Sequence, residues 1–293
     1  MTSPSPFRNY GRVIKHFAST RAAEVLALQA SPILGTVLGG FNLERSSFIR
    51  LGLLLLGSLM LTAHVFVFND WAGQSSDNRD PRRAVLVFAR RGISNRQVVR
   101  VATAFLILAN VIFAAVGIPA ILLGAAIAAL SLLYSCSPAF GKSTPIMAST
   151  NHLLGGALHF LLGYTLFRPL EAKGLLISLF FGLVFAGGHL NQEVRDYDGD
   201  LLTGIRTSAV AFGCRRTFLA SLLTFTAAYA MLAALAELGI LPRLLLWTMT
   251  LWPLHVAWSI RALQHGLGFE TAVWMQRRYR FLFACIGLVM LVR

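Results

Sequence analysis

Charged side chains are scarce in this chain: Asp, Glu, Lys and Arg make up 13% of its 293 residues, against about 25% in an ordinary soluble domain. Acid is scarcer still, with 12 Asp and Glu beside 26 Lys and Arg, for a formal net charge of +14. Cysteine is nearly missing. Cys136, Cys214 and Cys285 have no paired metal-ligand spacing and are too few for a disulfide framework. The seven histidines do not cluster either: His64, His152, His159, His189 and His255 fall in or beside apolar runs, where packing or an interhelical hydrogen bond is the expected role. His189 stands apart because it enters an acidic stretch. Residues 1–21 lack an apolar core, so no cleavable signal peptide is expected. No aromatic-interleaved basic patch is present, which excludes a nucleic-acid partner despite the basicity.

Apolar residues are abundant instead, at 56% with a mean hydropathy of +0.66. Runs near the roughly 20 residues that span a bilayer as helix recur at 22–40, 48–67, 98–117, 118–134, 147–167, 174–190, 217–238, 241–263 and 279–292. This predicts an all-α polytopic membrane protein: one domain over 1–293, a bundle of nine transmembrane helices with a polar cap on the cytoplasmic side. Assigning alternate sides to successive loops puts 20 of the 26 basic residues with the N-terminus and leaves Arg45, Arg50, Arg168, Lys173, Arg243 and Arg293 opposite. Lys and Arg concentrate on the cytoplasmic side of membrane proteins, so the N-terminus is expected there, as in a bacterial inner membrane. Contact with anionic membrane lipids accounts for most of the basicity.

Both acidic stretches fall on that same side: Asn69-Asp70-Trp71-Ala72-Gly73-Gln74-Ser75-Ser76-Asp77, with Asp80 just beyond, and Gln192-Glu193-Val194-Arg195-Asp196-Tyr197-Asp198-Gly199-Asp200. Helical offsets of three, four and seven share a face, which groups Asp70 with Asp77 and Glu193 with Asp196 and Asp200. Bare carboxylate faces repel one another. A hard divalent cation relieves this, and Mg²⁺ commonly completes its shell with phosphate oxygens. Asp70, Asp77, Asp80, Asp196 and Asp200 are therefore the candidate metal ligands. The polar connection from Asp70 to Arg100 is about thirty residues long, and so long a connection in a compact protein is usually functional. The stretches follow the second and sixth runs, a spacing that looks like an internal duplication.

These residues resemble the UbiA superfamily of intramembrane prenyltransferases, whose members have nine transmembrane helices and two aspartate-rich motifs. The first family motif, Asn-Asp-x-x-Asp-x-x-x-Asp, is matched at Asn69, Asp70 and Asp77. The second is matched at Asp196, Gly199, Asp200, Gly204 and Thr207. Tyr134, Ser135 and Pro138 after the fourth run, and Asn151 opening the fifth, also resemble the family pattern, so the likeness spans nearly the whole chain. One departure stands out. Gly73 occupies the middle position of the first motif, where the family commonly has Asp, and this leaves the metal stoichiometry open.

The resemblance implies Mg²⁺-dependent transfer of a prenyl group from a polyprenyl diphosphate to a lipophilic, aromatic acceptor, with release of pyrophosphate. Lys142, Arg206 and Tyr134 are the expected catalytic groups, with Asn69, Arg82, Arg83, Ser135, Asn151, Asn191 and Thr207 in substrate binding. Lys142 is the only charged residue between the fourth and fifth runs; a plain topology anchor is its other reading. Two further functions remain open on the sequence: a cyclase in which the prenyl chain attacks itself, and a non-catalytic cation or lipid-phosphate carrier. Against the carrier, transporter ion sites usually lie near the bilayer midplane, whereas these acids fall at the ends of apolar runs.

Overall fold

The structure, a computed structural model, describes residues 6–292. Arg293, counted above on the outer side, lies outside them. All regular structure among the described residues is helical. In chain order the helices are α1 (Pro6–Leu28), α2 (Ala30–Leu38), α3 (Arg45–Ala72), α4 (Gln74–Asp77), α5 (Asn95–Val116), α6 (Ile118–Cys136), α7 (Met147–Tyr164), α8 (Ala172–Arg195), α9 (Tyr197–Thr203), α10 (Ser208–Phe212), α11 (Cys214–Glu237), α12 (Leu251–Gln264) and α13 (Phe269–Met290). Five of these, α3, α5, α6, α8 and α11, are long and apolar enough to cross a membrane.

Every apolar run lands on helix, but two do so in pieces. The first is split at Gln29 between α1 and α2. Pro32 has no N–H to give to the carbonyl of Leu28, so one continuous α-helix through this point would lose a bond and crowd the proline ring. The eighth run begins as a 3₁₀ helix, Arg243–Thr250, before α12. Here Pro253 falls in the first turn of α12, where its missing N–H has no intrahelical partner to lose.

α8 is the most enclosed of the five long helices and α6 the least. α8 packs between α7 and α11, while α3 lies along α5. One apolar core joins α2, α7, α8, α11 and α13 through Phe160, Tyr164, Phe181, Tyr229 and Ile286; another joins α1, α3 and α5. α2 and α7 meet almost backbone to backbone. A Cβ on Gly163 would strike the Pro32 carbonyl, and one on Gly35 would strike that of Phe160. Small residues allow this approach where lipid leaves no hydrophobic drive between helices. Facing outward, Ile107, Val111, Leu122 and Leu223 are each more than half exposed. Apolar side chains in such number on a surface mark a lipid-facing one.

Candidate active site

The first acidic stretch straddles a helix end. Asp70 lies in the last turn of α3, Gly73 caps that helix by donating its N–H to the Asn69 carbonyl (2.8 Å), and Asp77 closes α4. Gly73 keeps a right-handed backbone (φ −80°), so the chain bends little and Asp70 and Asp77 remain on neighbouring turns. Beyond them, the long connection is folded. Phe88 is buried against α1 and stacks edge-on with His16, and Arg12 Nη2 donates to the Arg91 carbonyl (2.6 Å). Arg79 Nη2 donates to the Thr203 carbonyl (2.8 Å), tying this connection to the second stretch.

That second stretch is also a junction. Asp196 caps α8, and α9 begins at Tyr197 and carries Asp200. Asp80 lies against this junction, close enough that a Cβ on Gly199 would collide with its carboxylate, and its Oδ1 accepts the Arg82 N–H (2.9 Å). Glu193 remains near enough to Asp200 for the two charges to interact, but it does not share the Arg83 contact of Asp196 and Asp200. Glu193 is buried one turn earlier and faces His189, its Oε1 3.6 Å from Nδ1.

Arg83 joins the two stretches. Its Nη2 lies 3.0 Å from both Asp196 Oδ2 and Asp200 Oδ1, while Asp77 and Asp80 approach the same guanidinium at 3.7 and 3.6 Å. Arg195 forks onto Asp196 through two 2.7 Å bonds and reaches Gln276 on α13. Arg21 does the same for Asp70, at 3.1 and 2.6 Å. Bidentate charge-assisted pairs of this geometry are the strong class of polar contact. Burial works against the charge on Arg83, but Asp196, Asp200, Asp77 and Asp80 outweigh it and its pKa is raised. Burial also pushes Asp77 up, against Lys142 and Arg83, and pushes Asp200 up to about 6 against Arg83. Burial thus outweighs the protein cations beside these two carboxylates, and a bound cation would favour their charged form further.

Among the described residues no three of His, Cys, Asp and Glu gather closely enough to hold a metal alone. The donor set is nevertheless all carboxylate oxygen, and Asp196 and Asp200 converge on a single cationic atom. That suits Mg²⁺, which is commonly bound through one or two carboxylates plus phosphate oxygens and water. Asp196 and Asp200 are the residues that would hold it.

The other expected site residues divide. Tyr134 and Ser135 come to the site: the Tyr134 hydroxyl lies 3.5 Å from His189 Nε2, and Ser135 donates to Asn69 Oδ1 (3.5 Å). Lys142 is half-buried above Gly73, with its backbone N–H donated to the Tyr134 carbonyl (2.9 Å); burial lowers its pKa, opposed by Asp77. Asn191 is buried in α8 and its Oδ1 has no protein partner. Asn151 is committed elsewhere, donating to the Phe140 carbonyl (2.5 Å), whereas Thr207 both caps α10 by accepting from the Val210 N–H and hydrogen-bonds the Asp200 carboxylate. Arg206 is exposed. Arg82 is also mostly exposed, lying over the Phe269 ring at 4.4 Å and 3.9 Å from Asp198. A pair this exposed is worth little.

Sequence reasoning missed Arg21, which it counted only as a topological charge, and the pair His152 and His189. Those rings stack at 3.8 Å between α7 and α8, and His189 Nδ1 lies 3.0 Å from Ser149 Oγ. Arg21 is 49 residues from Asp70, so no local spacing signals it.

The model of the UbiA prenyltransferase family matches residues 33–286. This chain belongs to that family. Its fold is that of a UbiA homolog from Archaeoglobus fulgidus solved with DMAPP and Mg²⁺, at 19% identity and a TM-score of 0.68, covering 94% of this chain and 99% of that one. A UbiA homolog from Aeropyrum pernix K1, at 17% identity and TM-score 0.66, covers 91% of this chain and 94% of that one. A structure of digeranylgeranylglyceryl phosphate synthase is similar at 16% identity and TM-score 0.69, covering 96% and 98%. No curated protein matches the sequence. The chain is thus a multi-pass integral membrane protein of UbiA fold.

Proposed function

We propose that this protein transfers a prenyl group from a polyprenyl diphosphate to a lipophilic, aromatic acceptor within the membrane and releases pyrophosphate. The observation that carries this reading is the convergence of carboxylates from both acidic stretches on Arg83 at the end of apolar helices. A polyprenyl diphosphate has the complementary form, a compact anionic head on a long apolar tail. The A. fulgidus homolog has been solved with DMAPP or GPP together with Mg²⁺, which supports the same pairing here. In this reading the chain spans the bilayer nine times as a single unit, with the N-terminus and the site on the cytoplasmic side.

Mg²⁺ would neutralise the charge that develops on the departing diphosphate as the allylic C–O bond breaks. The protein's own part is positional. Asp196 and Asp200 would hold the ion that meets the diphosphate head, and Arg83 would pass from the carboxylates to phosphate oxygens, for which its planar fork is equally suited. Tyr134 and Ser135, over the motif-one helix end, border the path from head to tail. Their site is removed from bulk water, which keeps solvent from trapping the allylic cation before the acceptor does.

The test is pyrophosphate release by purified protein in lipid, with geranyl to geranylgeranyl and longer diphosphates, with and without Mg²⁺. Release only after a cell lipid extract is added, with label passing to an aromatic lipid, is the expected result. Acceptor-independent release with a hydrocarbon product would replace transfer by cyclisation. No release under either condition would remove the enzymatic reading.

A further inference from the structure

Gly73 stands where the family motif has a carboxylate, and its surroundings give that departure a consequence. Its φ of −80° is one any residue adopts, so the backbone does not require glycine there. The space beside it is what distinguishes the position. A Cβ at residue 73 would lie 2.9 Å from Lys142 Nζ and 2.9 Å from Asp77 Oδ2. The ammonium and the carboxylate therefore flank the missing side chain from two sides. They do not close on each other, since no ion pair joins them, and the Lys142 ammonium makes no hydrogen bond or salt bridge among the described residues. Lys142 reaches this point because Gly141 lets its loop press onto the carbonyls of Ser137 and Tyr134, where a Cβ would collide. The result is a half-buried ammonium standing where a side chain at residue 73 would project, beside the first acidic stretch.

Charge balance points the same way. Asp70 is held by Arg21 through both oxygens, a guanidinium it shares with Glu24 at 3.1 Å, and Asp77 has Lys142 across the niche, so each carboxylate of the first stretch faces a protein cation. The second stretch brings Asp196, Asp198 and Asp200 together with Asp80, against Arg195, the shared Arg83 and the exposed Arg82. The second stretch differs in that Asp196 and Asp200 already converge on one cationic atom, Arg83 Nη2, at 3.0 Å each.

We propose that Lys142 replaces a metal ion in the first motif: its ammonium enters the niche over Gly73 and binds a diphosphate oxygen directly, and only the second motif loads a divalent ion. This rests on the prenyl diphosphate reading above. A carboxylate at residue 73 would sit within hydrogen-bond reach of Lys142 and pair with it. Gly73→Asp is therefore expected to quench the ammonium rather than to rebuild a metal site.

The experiment counts ions instead of turnover. Mn²⁺ bound per chain is measured by the loss of its free-ion EPR signal in the presence of geranyl thiolodiphosphate, against a blank containing the analogue alone. One ion per wild-type chain is expected, retained in Asp77→Asn and lost in Asp196→Asn. Lys142→Met weakens analogue binding about tenfold, the scale of one charge-assisted hydrogen bond, without lowering the ion count at saturation. The double variant Gly73→Asp/Lys142→Met regains a second ion. Two or more ions on the wild type, or loss of the ion in Asp77→Asn, overturns the proposal whether or not the double variant folds. Failure of the wild type to bind the analogue at all instead sinks the prenyl diphosphate reading, and this inference with it.

Discussion

Asp200 is the most demanding carboxylate of the site. Its side chain is almost wholly enclosed, with Arg83 as its ion-pair partner at 3.0 Å, and burial raises its pKa to about 6. Asn has the same shape and still accepts a hydrogen bond from Arg83, but it brings no negative charge to a cation. Asp200→Asn is therefore expected to lower prenyl transfer by on the order of 100-fold or more, the usual cost of removing one preorganised electrostatic group. Thermal unfolding should stay within a few degrees of wild type, because Asn keeps the shape and Arg83 keeps Asp196, Asp77 and Asp80 around it. Turnover near the wild-type level would take Asp200 out of the metal assignment. Asp196, Asp200 and Arg83 were all visible in the sequence, the acids from their spacing and the arginine from its place in the connection. Arg21 was not, because its link to Asp70 exists only once α1 crosses the end of α3.

Among the helices, the tightest joint is between α2 and α7. Gly163 is stacked on Pro32 there, and Thr36 Oγ1, which donates to the Pro32 carbonyl at 2.8 Å, also lies 3.3 Å from that of Gly163. Gly163→Leu forces the two backbones apart and is expected to destabilise the protein by about 3 kcal/mol or more, at or beyond the upper end of ordinary overpacking. The same change at Gly155, on the same helix, is the control: nothing lies within 4 Å of its missing Cβ, so Gly155→Leu should unfold at the wild-type temperature in detergent. Equal melting of the two variants would refute the close joint. Hydropathy made the helices themselves legible, since every long apolar run is helical, whether in one piece or two. It could not show where they break. The division at Gln29 depends on the missing N–H of Pro32, which average hydropathy does not register, and the 3₁₀ turns of Arg243–Thr250 leave hydropathy unchanged. Nor could it show that α2 and α7 touch, because contact between glycines leaves no periodic signature.

For the molecule as a whole, the proposed orientation in the membrane can be tested on one helix and the charge around it. α8 has Lys173 at its first turn and Arg195 at its last, and its 24 residues span about 36 Å at 1.5 Å per residue, enough to cross the hydrocarbon core. Its two ends therefore lie on opposite sides of the bilayer. The Arg195 end is continuous with the acidic junction, Arg206, Arg215 and Arg216, while Lys173 shares its side with few other basic residues. Since Lys and Arg are retained on the cytoplasmic side, that end and the site should face the cytoplasm. In a background with Cys136, Cys214 and Cys285 replaced by Ser, Lys173→Cys and Arg216→Cys place single thiols at exposed positions on the two sides. A membrane-impermeant maleimide applied to intact cells should label Lys173→Cys and leave Arg216→Cys unreacted until the membrane is opened. The reverse pattern would invert the whole assembly, and the diphosphate would then have to be supplied from the other side of the membrane.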